Sequence, residues 1–334
     1  MNTYFTRFNK KLTTFIKDKL DLKTSDIKQA ENSLEVLKNN IINIFNRTPF
    51  LDIYFEKCIN YGSYARETKI LPLDDIDFTI CIKANHRTYS QNNKIIRIFS
   101  NSEDMEYSDF VDNNNYLNSN KVLNHIKKNI NSNYSRSDIC KDGEAVRLSL
   151  NSYKLNFDIV PSFYTKPEKD GRQYYLIPDG YGNWKKTDPI IDKKNIINLR
   201  NKNINTINVI KLIKYWNKTK KVKTVSSYLL ECMMIKYFNN IIYDDTSIFV
   251  MFKDALLHIS KNIEYGIVDP KGIQGDLIKA EGLKEEQKES ISTKAQKDHN
   301  KCEEVEKMLM NCNYSDNYDE AIDKFSEVLN GFND

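Results

Sequence analysis

Between Asp75 and Ile82 the chain alternates with a period of two: Ile76, Phe78, Ile80 and Ile82 take the even positions, and Asp75, Asp77 and Thr79 begin the odd ones. Successive side chains of a strand point to opposite faces. The stretch is therefore predicted to be a strand that buries an isoleucine face and projects two acids from the other. A second strand, predicted over 154–160, repeats the device, with Leu155, Phe157 and Ile159 on one face and Asp158 on the other. A third is predicted over 145–150, and the turn-prone residues 151–153 join it to the second as a hairpin.

Elsewhere the apolar spacing is helical. Ile27, Ala30, Leu34, Leu37, Ile41, Ile44 and Phe45 mark a long helix over 25–45, with Ser25 as its expected cap and Asp26 in its first turn. Residues 113–120 read as a loop and 121–130 as a helix. The Gly- and Pro-bearing stretch 166–189 is predicted to be irregular. Beyond it, helices are expected over 205–218, 227–238, 248–258, 276–280 and 298–310. Residues 284–301 are charged and weakly apolar, which predicts a solvated helix or mobile linker rather than core. Strands and helices followed by helices alone predict an α+β half and a helical half, with a ligand cleft expected between them. The expected divisions are N-terminal helices bridging both lobes over 1–47, a core over 48–189 and a helical region over 190–334.

Composition narrows the picture only a little. The 334 residues are enough for two domains and a sizeable core. A net charge of +4, from 50 basic and 46 acidic residues, identifies no partner. No apolar run approaches the roughly 20 residues that span a bilayer. The start, MNTYFTRFNKKLTTF, lacks the order of a signal peptide, so a cytoplasmic protein without membrane contact is expected. The cysteines, Cys58, Cys81, Cys140, Cys232, Cys302 and Cys312, form no C-x-x-C pair. Structural zinc is not expected, and the thiols should be reduced.

The carboxylates carry the chemistry. Asp75 and Asp77 on one face would hold their Cβ atoms roughly 7 Å apart, and Asp158 on a paired strand would bring a third negative charge. An oxygen cluster of this kind suits hard divalent cations such as Mg²⁺, which keep room for substrate phosphates. Two ions about 4 Å apart can activate an attacking oxygen and stabilise a leaving one, which is chemistry at phosphorus. The bland alternative for any single D-x-D is a pair of acids on a solvated sheet face. Upstream, however, Gly62 lets the backbone approach a phosphate without a Cβ, and Ser63 supplies a hydroxyl. A Gly-Ser dipeptide alone means nothing; its spacing to Asp75 gives it weight.

Together, GSYARETKI followed by DDID, and FDIVPSF further on, resemble the nucleotidyltransferase superfamily that includes DNA polymerase β. Within it, the D-I-V-P ending and YYLIPDGYGNWKKTDP are similar to the bacterial cGAS/DncV-like nucleotidyltransferases of antiphage signalling. The resemblance covers residues 62–269. It implies a polymerase β-like core with a mixed sheet flanked by helices, a C-terminal helical bundle and an active site in the cleft between them. It also implies that Ser63 holds phosphate and that Asp75, Asp77 and Asp158 hold two Mg²⁺ ions, with Mn²⁺ as a substitute. In KLIKYWN and SSYLLE it places Lys214 and Ser227 on a triphosphate and Tyr228 on a base. On a helical wheel Lys211, Lys214 and Lys218 fall on one side, opposite Val209, Leu212, Ile213 and Trp216, and the wheel alone leaves open a solvated face. One departure stands out: where the family usually has Gly in G-S-x-x-x-G-T, this chain has Glu67.

The implied activity joins nucleoside triphosphates, ATP, GTP or a pyrimidine nucleotide, into a cyclic oligonucleotide with loss of pyrophosphate. The diffusible product would reach a downstream effector in CBASS-type defence. No zinc insertion is apparent, so activation by nucleic acid is not expected. Two other readings stand beside it: a template-independent transferase acting on RNA or protein, and a binding module whose site no longer turns over.

Overall fold

The computed structural model describes residues 3–45, 52–100, 105–134, 136–151, 154–219, 225–241, 247–311 and 315–333. The chain forms two compact units that alternate along the sequence. One comprises 22–67 and 73–193; the other comprises 1–21, 68–72 and 194–334.

The first unit is built on a nine-stranded mixed sheet: β1 (Ile59–Tyr61), β2 (Asp75–Ile82), β3 (Thr88–Asn92), β4 (Ile95–Phe99), β5 (Asp138–Asp142), β6 (Ala145–Leu150), β7 (Leu155–Tyr164), β8 (Tyr175–Pro178) and β9 (Trp184–Thr187). The main path runs β1-β2-β7-β8-β9-β4-β3, and β5 and β6 continue from the other part of the β7 edge. β2 and β7 pair in parallel, in register from Asp75 opposite Asn156 to Ile82 opposite Phe163. β6 and β7 form the expected antiparallel hairpin, Leu150 opposite Leu155; residues 152–153 of its turn lie outside the described residues.

The alternation in β2 does what the pattern predicts. Ile76, Phe78, Ile80 and Ile82 enter a core shared with Phe157 and Ile159 of β7 and with Ala30, Leu34, Leu37 and Ile41 of the Thr24–Phe45 helix. Each such side chain contributes about 2 kcal/mol of burial free energy. The opposite face starts with the acids and then closes over: Cys81, Val160, Tyr175 and Ile177 form a smaller cluster there.

Several local expectations need correction. The long helix starts at Thr24, and Ser25 lies inside its first turn with its hydroxyl on Asp26 Oδ1, 3.0 Å away. The Lys23 carbonyl accepts the first helical amides instead. The stretch 166–189 is irregular only in part: residues 166–174 carry no helix or strand, but beyond them a Gly-rich turn links β8 to β9, and Trp184 is fully buried, donating from Nε1 to the Leu117 carbonyl at 2.8 Å. Helices over Ser119–Asn133, Asn205–Thr219, Ser227–Asn239 and Ile248–Asn262 match their predicted counterparts to within a few residues.

The second unit is helical. Phe8 of the Thr3–Phe15 helix packs against Phe249, Phe325 and Phe332 with ring centroids 5.0, 5.1 and 5.3 Å away. The charged segment 284–301 is helical, as one of its two expected forms had it: it opens a helix of 26 residues, Glu285–Met310, most of its side chains lie outside the core, and one seam enters it. Ile291, Ala295, Asp298, Cys302, Val305 and Leu309 are buried at alternating steps of four and three, a narrow seam that few apolar residues suffice to fill. Asp298 occupies a seam position because its oxygens are satisfied there: Trp216 Nε1 donates to it at 2.7 Å and Lys294 at 3.1 Å. Among the described residues no helix is long and apolar enough to cross a membrane, and the described cysteines form no disulfide.

Candidate active site

In the sheet unit, register assembles one row across four strands. Tyr61 of β1 stands opposite Asp77 of β2, Asp77 opposite Asp158 of β7, and Asp158 opposite Arg147 of β6. Registered neighbours share a face, so two acids, a phenol and a guanidinium project together. Asp75 leads a second row, opposite Asn156, on the same face. The chain thus brings Asp75, Asp77 and Asp158 onto adjacent parallel strands.

Gly62, directly after β1, closes on this row. Its backbone is left-handed, with φ +70°, and a Cβ built on it would fall 1.7 Å from Asp77 Oδ2. No other residue fits without displacing that carboxylate. Ser63 follows in the short turn Gly62–Ala65, which ends at Glu67, also left-handed with φ 60°. The Glu67 amide donates to the Tyr64 carbonyl at 3.0 Å. A glycine would meet this backbone without strain, which is the physical content of the departure at position 67.

Sequence reasoning missed Tyr61 and Arg147. Arg147 holds Asp158 with both arms of its fork, Nε to Oδ1 at 2.8 Å and Nη2 to Oδ2 at 2.9 Å, while Nη1 reaches Asp142 at 2.6 Å. Its hydrogen bonds to Asp158 push the guanidinium pKa further up. Burial pushes the Tyr61 phenol well up, reinforced by the charges of Asp77, Glu144 and Asp158, so it stays a proton donor beside the acids. A signal for Arg147 existed: once the hairpin pairs Leu150 with Leu155, counting back three and forward three puts Arg147 opposite Asp158.

As a donor set, three carboxylates suit a hard divalent cation, and Gly62 leaves Asp77 the room that a side chain would fill. The set is not yet closed, however. Among the described residues no three of Asp, Glu, His or Cys stand close enough to enclose a metal ion, and Asp158 is turned to Arg147.

The remaining predicted residues belong to the helical unit. The three lysines of the Asn205–Thr219 helix do not share one solvent face. Lys218 is exposed and Lys211 pairs with Asp21 at 2.7 Å, whereas Lys214 is buried. Its ammonium donates to the Thr68 carbonyl at 3.0 Å and the Thr68 hydroxyl at 3.1 Å, and it pairs with buried Glu231. The Thr68 hydroxyl also donates to Glu231, at 2.7 Å. Ser227 opens the next helix, exposed, with Ser226 as the cap that accepts from the Leu229 amide at 3.0 Å. Tyr228 is half-buried under Lys271, whose ammonium lies 4.4 Å from the ring centroid. The Asp269 side chain organises that lysine's turn by accepting from the amides of Lys271, Ile273 and Gln274.

A cavity of about 750 Å³ opens at the far ends of β2 and β7, beside Ile82, Arg87, Tyr89 and Tyr164. None of the sequence-predicted residues lines it.

The mixed sheet, with the helical region that follows it, is the fold of the polymerase β-like nucleotidyltransferases. Residues 88–203 match the Second Messenger Oligonucleotide or Dinucleotide Synthetase domain. A probable cyclic nucleotide synthase of Bacillus cereus strain VD146 is 36% identical over 275 residues, covering 80% of this chain and 82% of that protein. Two solved structures of Escherichia coli MS115-1 CdnC share the fold. One, with ATP, aligns over 98% of both chains at TM-score 0.69 and 14% identity. The other, in complex with HORMA-deltaN, aligns over 97% of both at TM-score 0.65 and 15% identity. The chain belongs to the bacterial cGAS/DncV-like nucleotidyltransferases, the family of cyclic nucleotide synthases.

Proposed function

We propose that this enzyme joins nucleoside triphosphates into a cyclic oligonucleotide messenger for CBASS-type antiphage signalling, releasing pyrophosphate, and that the row Asp77–Asp158 is its reacting centre. The observation that carries the reading is the register of those acids with Gly62 closed on Asp77. The ATP in the related CdnC structure supports triphosphates as substrates.

Asp75, Asp77 and Asp158 would hold Mg²⁺, or Mn²⁺ in its place; the bound cation would supply charge neutralisation and a more acidic attacking hydroxyl. Gly62 and Ser63 receive phosphate oxygens, and Tyr61 offers an O–H to the same face. Lys214, sealed against Glu231 and Thr68, serves the interior of the helical unit rather than phosphate; Ser227, exposed at the start of the next helix, and the half-buried Tyr228 are the residues of that unit proposed for the triphosphate and a base. The ribose oxygen of the acceptor bonds to the donor's α-phosphorus, its proton leaves, and the bond to the pyrophosphate oxygen breaks. The chain's part is positioning and a fixed electrostatic frame. A second transfer within the linear product closes the ring, and the product carries the signal to its effector.

Incubating the purified chain with each pair of nucleoside triphosphates and Mg²⁺, then digesting with nuclease and phosphatase, tests this. The expected result is a phosphatase-resistant cyclic product and stoichiometric pyrophosphate. Labelling of added tRNA or protein without a cyclic product would contradict it.

A further inference from the structure

We infer that Arg147 is a positioning residue that sets how readily Asp158 engages a divalent cation, by holding the carboxylate in a guanidinium-bound state that the cation must displace. The inference rests on the reading of Asp75, Asp77 and Asp158 as the cation-holding acids. A carboxylate offers about four lone-pair sites over two oxygens. The Arg147 fork spans both oxygens of Asp158, at 2.8 and 2.9 Å, and sets a full positive charge where a second cation would come. The strands enforce the opposition, since Arg147 and Asp158 are registered partners on adjacent strands.

The arginine also has somewhere to go. Nη1 reaches Asp142, the last residue of β5, at 2.6 Å, so the guanidinium sits between two carboxylates and can lean toward the outer one without losing its ionic partner. Asp142 is 51% exposed, Arg147 38% and Asp158 14%. The guanidinium is the partner that solvent reaches in both contacts, so it can shift toward Asp142 while Asp158 stays on the sheltered side. With Asp158 so held, no three carboxylates among the described residues close around one point. Arg147 thus tunes the third acid, and Asp142 tunes Arg147.

The test is titration of the EDTA-stripped full chain with Mn²⁺, free Mn²⁺ being followed by electron paramagnetic resonance, with urea unfolding of each variant as the check on folding. Arg147→Met is expected to tighten Mn²⁺ binding about tenfold, from removal of one positive charge beside a divalent ion. Arg147→Lys, which keeps the charge and loses the fork, should fall between that variant and the parent. Asp142→Asn should weaken binding about threefold in the parent, by a like estimate from charge removal, and leave it unchanged in the Arg147→Met background. Unchanged or weaker binding in Arg147→Met, while Asp77→Asn abolishes it, overturns the role of Arg147 and spares the acid site. Intact Mn²⁺ binding in Asp77→Asn overturns the acid site itself, and this inference with it.

Discussion

Asp158 and Arg147 in the sheet unit meet where the arginine is 38% exposed, whereas Lys214 and Glu231 in the helical unit meet at 4% and 1% exposure. Water reaches the guanidinium of the first pair although Asp158 itself is sheltered, so that pair is adjustable from its arginine side and suits a place where charge must be exchanged during a reaction. Water can replace neither partner of the second, where Thr68 supplies a carbonyl and a hydroxyl to the ammonium and a hydroxyl to the carboxylate. The same ion-pair chemistry is adjustable at an accessible row and architectural in a sealed interior.

The largest expected effect breaks the sealed pair. Lys214→Met leaves the Glu231 carboxylate buried without its cation and should lower unfolding stability by about 3–5 kcal/mol, read as a drop in the urea midpoint. A change below about 1 kcal/mol, the range of an exposed pair, would erase the contrast.

Next comes the adjustable row. Gly62→Ala puts a methyl group where the Asp77 carboxylate lies and forces a side chain on a left-handed backbone. Activity should fall about 100-fold, the scale at which a misplaced reacting group is felt, with stability lowered by about 1 kcal/mol. Initial rates and a urea curve on the same preparation separate the two. Wild-type rates would mean that Asp77 need not sit against the Gly62 backbone.

The smallest effect sharpens the picture at the turn that follows Gly62 and Ser63. Glu67→Gly relieves a left-handed backbone and should raise stability by about 0.5–1 kcal/mol. A loss of stability instead would show that the glutamate side chain contributes more than its backbone strain removes.

Much of the sheet row was legible because period two writes itself into sequence: Asp75–Ile82 and Ala145–Leu150 are strands at the residues that alternation predicts. Arg147 was within reach by counting along the hairpin. The strands at Thr88–Asn92 and Asp138–Asp142 were not, since their side chains are mostly exposed and no apolar face repeats. Nor was β8 or β9, which flank a Gly-rich turn that dominated the reading of 166–189. The helix Glu285–Met310 hid its seam among charges because a two-in-seven stripe leaves mean hydropathy low. Lys214 shows the sharpest limit. A helical wheel assigns charge to the outside, and only partners 17 and 146 residues away reveal an interior lysine.

The departure at Glu67 had been visible as a broken motif, but its meaning required a dihedral angle. In this chain the glutamate stands at a left-handed position that a glycine would meet without strain, so the departure concerns strain in the turn rather than loss of Ser63 or the acids.

The central claim, that the Asp77–Asp158 row is the reacting centre, is tested most directly by the rate of pyrophosphate release from nucleoside triphosphates by Asp77→Asn at saturating Mg²⁺. The account predicts a fall of roughly 1,000-fold or more, the scale of losing a preorganised charge at the reacting atoms, with the urea midpoint within about 1 kcal/mol of the parent. Turnover at the parent rate would contradict it.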